Sequence, residues 1–365
     1  MTLPVGYYEQ SLPNISGEIF VGVWLPLRAA GEPLGTYKSS ILMDKKLKMM
    51  LGMSLKDGMP KWIPTCCLPK VNTPIPTANP LLGAATPDMV AEPSSIRGLV
   101  VYAHGLSDGP ASLAHVCEKL ASLGFIVAAP SFSDDDSNGA VPALAAGNQF
   151  IGLQQSERIK QMDTTIATLL EQYGRYLPLA LIGYSTGTDT ILQMAAACPR
   201  VYVGGPGWQQ SVGTPAAIAA PPGGPSLQLL ASPDEMMVRQ GFTSDESSAI
   251  TGFPVPHNRA RVTPERIAQA ATEGDPHLRV DMEGYSHASF KYPPFAASED
   301  SAWRRAFCGV DIWAVQRMAS GNPATSPPSN EVAMLRANAS ADIIASYLMA
   351  AVERDYEEKI DAASA

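Results

Sequence analysis

A serine between two glycines lies at the junction that most constrains this fold. Residues 183–187 read Gly-Tyr-Ser-Thr-Gly, directly after the apolar run 179–182 and directly before a helix-patterned stretch. On so tight a turn the serine hydroxyl projects above the sheet edge, and flanking glycines remove the Cβ atoms that would clash there. The pentapeptide alone is a weak motif, so the strand before it and the helix after it carry most of the weight. We therefore predict a strand–turn–helix unit with Ser185 as the candidate nucleophile.

Short apolar runs alternate with helical stretches from residue 99 onward. The runs are 99–103, 125–129, 179–182, 201–203, 227–230 and 278–282, and helices are predicted at 111–123, 153–173, 186–197, 263–271 and 331–359. This alternation is typical of a parallel sheet covered on both faces, with right-handed crossovers. Residues 15–27 alternate loosely and favour an antiparallel strand or hairpin arm at the sheet edge. The predicted class is α/β, a mostly parallel doubly wound sheet with N-terminal antiparallel strands and loop or helix insertions.

One domain over 1–365 with insertions is expected, because 365 residues that are 45% hydrophobic can form one large core. Residues 28–98 are interpreted as a Met/Lys-rich and Pro-rich insertion, and the prolines of 63–93 predict an extended loop. The basic, Met-rich stretch 43–59 favours a core-covering helix, with a lid, an acyl-pocket wall or membrane-surface contact as alternatives. Residues 303–330 are interpreted as a cap or loop insertion near the pocket mouth.

Composition excludes several classes of partner. The net charge is −9 and no basic cluster stands out, which argues against nucleic-acid binding. Five cysteines without C-x-x-C spacing indicate neither a disulfide framework nor a zinc site. No cofactor is expected. No secretory leader pattern and no apolar run of about 18 residues appears, which favours the cytoplasm or another reducing intracellular compartment. Contact with a membrane surface would be weak, and the sequence does not encode the oligomeric state.

Five histidines compete for the role of general base. His287 follows the last apolar run, within Gly-Tyr-Ser-His at 284–287, and precedes the final helix, where a loop can bring its imidazole to Ser185. His104 ends the run 99–103 and is expected to shape an oxyanion loop instead. The other three, His115, His257 and His277, are assigned surface or structural roles. His287 is therefore the candidate base.

A carboxylate is needed to hold the imidazole in the correct tautomer and to stabilise the imidazolium. Asp234 follows the run 227–230 and gives the chain order Ser, Asp, His of this motif class. Glu235 and Asp245 are the alternatives. The triplet at 134–136 precedes the nucleophile and is interpreted as a solvated loop.

Two backbone amides are candidates for the oxyanion hole. Gly105 permits a sharp bend after the run 99–103, which lets the amide of Leu106 point into the pocket. The amide of Thr186, directly after Ser185, would supply the second donor. Gly183 and Gly187 support the turn, and His104 supports the loop.

These segments together resemble the α/β-hydrolase superfamily and, within it, the platelet-activating-factor acetylhydrolase group of serine esterases. The resemblance is carried by residues 99–106, 120–130, 182–187 and 284–287, and covers roughly 99–292. It implies a Ser/His/Asp mechanism without a metal, and cleavage of the sn-2 acyl group of short-chain or oxidised phospholipids. By position it implies Ser185 as nucleophile, His287 as base, and the Leu106 and Thr186 amides as oxyanion hole.

One departure from that group affects the acid. The group places its acid shortly after the strand that follows the nucleophile helix, yet residues 203–208 read Val-Gly-Gly-Pro-Gly-Trp, without a carboxylate. Asp234 follows the next strand, where many other α/β-hydrolases keep theirs. We expect a serine hydrolase that cleaves a lipid or other hydrophobic carboxylic ester through an acyl-enzyme. The alternatives are an esterase for a pigment or small ester and a non-catalytic binding protein of this fold.

Overall fold

The computed structural model describes residues 2–14, 17–37, 75–105, 108–132, 149–205, 224–232, 263–274, 277–293 and 329–364. In chain order the strands are β1 Val5–Asn14, β2 Gly17–Pro26, β3 Thr36–Tyr37, β4 Ile75–Pro76, β5 Gly83–Ala84, β6 Gly98–Ala103, β7 Phe125–Ser131, β8 Leu179–Tyr184, β9 Arg200–Val203, β10 Ser226–Ser232 and β11 His277–Glu283. The α-helices are α1 Ala114–Ser122, α2 Gln149–Tyr173, α3 Thr186–Gln193, α4 Pro264–Glu273 and α5 Asn330–Ser364.

Nine of these strands form one sheet in the order β11-β10-β9-β8-β6-β7-β2-β1-β5. Every neighbouring pair from β7 to β11 is parallel, whereas β2 pairs antiparallel with both β7 and β1. The strand order reverses at β6, between β7 and β8. This arrangement, with the serine turn directly after β8, is that of the α/β-hydrolase fold, and the predicted fold class is confirmed. Because ligands in such sheets bind where the strand order reverses, the carboxyl ends of β6 and β8 mark the expected site.

The prediction that residues 15–27 form the edge of the sheet is wrong. Strand β2 lies between β1 and β7, and its register with β1 runs from Val5↔Pro26 to Asn14↔Gly17. Strand β1 was not predicted, because its central residues Glu9, Gln10 and Ser11 interrupt any apolar alternation. A long antiparallel partner compensates for this weak local pattern by providing a continuous hydrogen-bonded ladder.

Helices cover both faces of the sheet and create two hydrophobic cores. On β6, Val100 and Tyr102 belong to the core beneath α1, α4 and α5, while Leu99 and Val101 belong to the core beneath α2 and α3. Alternate residues of a strand point to opposite faces, so a sheet covered on both faces needs the unbroken apolar run that the sequence shows there. None of the helices in the described ranges is long and apolar enough to cross a membrane.

Helix α3 ends at Gln193, earlier than the predicted boundary at 197. The cause is the buried guanidinium of Arg200, which donates hydrogen bonds to the carbonyls of Ile191 (2.7 Å), Met194 (2.9 Å) and Ala196. The Ile191 carbonyl also accepts from the Met194 amide at 3.4 Å, whereas the Met194 and Ala196 carbonyls lie beyond the helix. From the first residue of β9, Arg200 supplies donors to all three. Because Arg200 belongs to the next strand, the sequence pattern of the helix itself does not indicate where the helix ends.

Part of the Met/Lys-rich and Pro-rich insertion is described, namely 28–37 and 75–98. Between 75 and 95 it contains only the two-residue strands β4 and β5 and two short 3-10 turns, Pro87–Met89 and Pro93–Ser95, which agrees with the predicted lack of regular structure. The basic, Met-rich stretch 43–59 and most of 303–330 lie outside the described residues, so the lid and cap assignments stay predictions.

A buried carboxylate fastens this insertion to α1. Glu118, which is 3% exposed, accepts hydrogen bonds from the Tyr37 hydroxyl, the Ala78 amide (2.8 Å) and the Asn79 amide. Trp24 Nε1 in turn donates to the Tyr37 hydroxyl at 3.0 Å. Burial raises the pKa of Glu118 from 4.5 to about 7, although these hydrogen bonds act in the opposite direction.

The Glu118 carboxyl should make stability depend on pH. Its folded pKa lies above its ordinary value, so its contribution to stability is complete below pH 4.5 and is lost as the pH rises through about 7. Relative to a Glu118→Gln variant, wild type should lose about 2 kcal/mol of unfolding free energy between about pH 5 and pH 8. Denaturant unfolding at both pH values measures this, with the exposed Glu32→Gln as control. A wild-type to Glu118→Gln difference that does not change with pH would contradict it.

Candidate active site

Ser185 occupies a strained backbone conformation at the end of β8. Its φ of 54° is the one positive value among the non-glycine residues that the structure describes. Such a conformation is costly for an L-residue and persists only when the surrounding structure enforces it. The turn brings the backbone so close that a Cβ on Gly183 would lie 2.5 Å from the Gly187 carbonyl oxygen, and a Cβ on Gly187 would lie 2.0 Å from that of Ala103. A side chain at either flanking glycine would thus clash with the backbone, which agrees with the glycine requirement predicted from the sequence.

Helix α2 supports this turn through two buried polar side chains that the sequence did not single out. Gln155 donates to the Thr186 carbonyl at 3.3 Å and accepts from the Thr190 hydroxyl at 2.6 Å. Arg158, which is 1% exposed, donates to the His104 carbonyl at 2.9 Å. Polar residues one helical turn apart are usually solvent-facing, so only their burial against α3 and β6 reveals this role.

His104 holds the loop that follows β6. Its Nε2 accepts a hydrogen bond from the Phe132 amide at 3.3 Å, which leaves Nδ1 as the protonated nitrogen, 2.8 Å from the Gly105 carbonyl. Gly105 lies against Ser185, since a Cβ there would be 3.2 Å from Ser185 Cβ. Gly105 thus lies beside Ser185, and the oxyanion role of the loop stays a prediction. Leu106 lies outside the described residues, and the Thr186 amide begins α3.

The imidazole of His287 stands beside the end of the neighbouring strand β9. A Cβ on Gly204 would lie 3.0 Å from His287 Cε1 and 3.1 Å from Nδ1, and the preceding Val203 carbonyl accepts from the Ser185 amide at 2.9 Å. Tyr184 adds a second link, because its hydroxyl donates to the His287 carbonyl at 3.0 Å and the two rings are 5.2 Å apart. The structure therefore brings residues 185 and 287 to the same rim of the sheet.

The candidate acids Asp234, Glu235 and Asp245 lie outside the described residues. Strand β10 ends at Ser232, shortly before Asp234, and Ser232 is paired with Glu283 at the end of β11. The described backbone therefore ends at the same sheet edge from which the His287 turn departs. The choice among the three carboxylates stays a prediction.

Two further histidines, His115 and His277, contact neighbouring side chains of the fold. His115 is buried in α1 and stacks on Tyr292 at 5.9 Å, and burial lowers its pKa from 6.5 to about 3, so it is neutral. His277 begins β11, and its Nδ1 lies 2.8 Å from the hydroxyl of Ser226, which begins β10. His257 is outside the described ranges. Within those ranges, no group of three or more His, Cys, Asp or Glu side chains could hold a metal ion.

No protein-family model matches the chain, and no curated protein matches it. Among solved structures, a cold-adapted esterase from an Arctic intertidal metagenomic library is similar over 84% of this chain and 96% of its own, with 13% identity and a TM-score of 0.44. Dienelactone hydrolase from Anabaena variabilis is similar over 84% and 98%, with 12% identity and a TM-score of 0.41. Ferulic acid esterase from Streptomyces cinnamoneus is similar over 93% and 89%, with 15% identity and a TM-score of 0.43. At such values these similarities carry no information on substrate.

The glycine contacts lead to a direct test of the turn. In Gly187→Ala the new methyl group would overlap the Ala103 carbonyl, so α3 must move away from β6 and Ser185 must shift. We expect a loss of at least about 2 kcal/mol of stability and of any reactivity at Ser185. Thermal unfolding and active-site labelling measure the two effects.

Gly109→Ala is the matched control, because nothing lies within 4 Å of a Cβ there. Its φ of −147° suits any residue, so the control should unfold at the wild-type temperature. Equal behaviour of the two variants would show that the close approach at Gly187 does not hold the turn.

Proposed function

We propose that this protein is a serine hydrolase that cleaves carboxylic esters through an acyl-enzyme. One observation supports this above all: a serine in a strained strand-to-helix turn shares one sheet rim with a histidine whose imidazole contacts the adjacent strand end. A strained turn of this kind projects the Ser185 hydroxyl above the sheet edge, where an ordinary turn would not place it. The function rests on this site, because the fold alone serves many activities.

In the proposed reaction the Ser185 hydroxyl transfers its proton to His287 as Oγ attacks the ester carbonyl carbon. The carbonyl oxygen becomes an oxyanion, which the amides of Thr186 and Leu106 stabilise by hydrogen bonds. When the tetrahedral species collapses, the carbon–oxygen ester bond breaks, and the alcohol leaves with the proton from His287. Water, deprotonated by the same histidine, then releases the carboxylic acid and restores the serine. Asp234 is proposed to hold the imidazole in position through its other nitrogen.

The experiment that tests this function compares Ser185→Ala with wild type on p-nitrophenyl acetate and with a fluorophosphonate probe. Removing the nucleophile should lower kcat by at least about 10³-fold and abolish labelling. Ser94→Ala is the control, since that serine is exposed in a turn before β6 and should leave both readouts unchanged. Unchanged labelling of Ser185→Ala would remove Ser185 from its role.

The same assays identify the acid. Asp234→Asn should reduce kcat far more than Glu235→Gln, because loss of the orienting carboxylate disfavours the required tautomer. Equal and mild losses in both variants would mean that another carboxylate serves, with Asp245 as the remaining candidate.

For the substrate we propose a lipid or another hydrophobic ester, and the resemblance to platelet-activating-factor acetylhydrolases suggests the sn-2 acyl group of short-chain phospholipids. A series of esters of increasing acyl length, each with and without a phosphocholine group, separates the alternatives. Higher kcat/KM with phosphocholine at short chain length is the expected result. No preference for phosphocholine would favour a pigment or small-ester esterase, and no hydrolysis of any ester would favour a binding protein.

A further inference from the structure

A buried ion pair joins the two loops that flank Ser185. The Lys291 ammonium lies 2.7 Å from Asp108 Oδ1, and the two side chains are only 11% and 3% exposed. Asp108 belongs to the loop after β6 that contains Gly105, and Lys291 directly follows the 3-10 turn His287–Phe290. The pair therefore links the proposed oxyanion loop to the loop of the proposed base.

The carboxylate of this pair is a close neighbour of the nucleophile. The position that a Gly105 Cβ would occupy lies 2.8 Å from Asp108 Oδ2 and 3.2 Å from Ser185 Cβ. The turn that places it there is held by the Asp108 amide, which donates to the Gly105 carbonyl at 3.2 Å. On the other side, the Lys291 ammonium lies 5.8 Å from the centre of the Tyr184 ring. The carboxylate is thus close to Ser185, and the ammonium lies near the preceding residue, Tyr184.

A negative charge at this place opposes the proposed chemistry. The reaction creates an oxyanion beside Ser185, and a buried carboxylate nearby raises the energy of that anion because little water screens the repulsion. An ammonium at hydrogen-bond distance from the carboxylate offsets this repulsion. The ammonium also lowers the free-energy cost of burying the carboxylate.

We propose that Lys291 is a positioning residue that acts through Asp108: its ammonium compensates the Asp108 carboxylate, so that the loop after β6 can approach Ser185 without opposing the oxyanion. This inference rests on the proposed function. It predicts an asymmetry between the partners. Loss of the lysine charge leaves the carboxylate facing the reaction, whereas loss of the aspartate charge leaves a cation, which does not oppose it.

The test compares Lys291→Gln, Asp108→Asn and the double variant in p-nitrophenyl acetate hydrolysis. Glutamine removes the charge and keeps an N–H donor, on a side chain one atom shorter than that of lysine. We expect Lys291→Gln to lower kcat by about 10²-fold with little change in KM, and Asp108→Asn to lower it by less than about tenfold. In the double variant kcat should recover to within about tenfold of wild type. Lys291→Arg, which keeps the charge, should retain more activity than Lys291→Gln.

Lys119→Gln is the matched control, because Lys119 forms an exposed ion pair with Asp342 at 3.0 Å on the face of α1 and α5. It should leave kcat unchanged. If Lys291→Gln does not fold, the double variant still decides, because it buries no charge at this place: near-wild-type kcat supports the proposal, and a loss of about 10²-fold overturns it.

A purely structural pair predicts a different pattern. Equal losses in Lys291→Gln, Asp108→Asn and the double variant, in parallel with their thermal unfolding temperatures, would overturn the inference while wild type stays active and Ser185→Ala inactive. A wild type as inactive as Ser185→Ala would instead overturn the proposed function, and this inference with it. The two failures are therefore distinguishable.

Discussion

The close approach of α3 to the end of β6 is the constraint on which the rest of the site depends. Gly187 lies so near the Ala103 carbonyl that no side chain fits between them. This contact forces the chain to reverse within a single residue, and Ser185 takes the positive φ that the reversal demands. The strain is balanced by buried hydrogen bonds on the same turn, including that from the Ser185 amide to the Val203 carbonyl. Backbone packing therefore sets the position of Ser185, and the buried side chains of α2 support it.

Three buried polar groups around this turn have partners from other elements. Arg158 of α2 reaches the His104 carbonyl, His104 accepts from the Phe132 amide after β7, and Lys291 meets Asp108. Such groups are expensive to bury without hydrogen bonds, so each one fixes the relative position of the elements it joins. The loops around the serine are consequently held by polar contacts, whereas the sheet beneath them is held by two apolar cores.

Much of the fold could be predicted, because its signals are local. The apolar run at 99–103 needs burial on both faces, which a parallel sheet supplies, and the glycines at 183 and 187 mark the turn. Strand β1 was missed, since Glu9, Gln10 and Ser11 mask its pairing with β2. The predicted end of α3 was too late, because Arg200 of the following strand β9 donates to carbonyls at and beyond the end of the helix. Errors thus arose where contacts between different elements override local preference.

The sequence by itself determined the class of sheet, the serine turn and the order in which the candidate residues occur, because these depend on side-chain period and on backbone freedom at glycine. Only the tertiary structure decided which polar groups meet. Gln155, Arg158 and Lys291 have ordinary patterns in the chain, and their roles appear only when the sheet brings α2 and two loops to the same rim. Contacts between residues far apart in sequence depend on the relative placement of whole elements, which a local pattern does not contain.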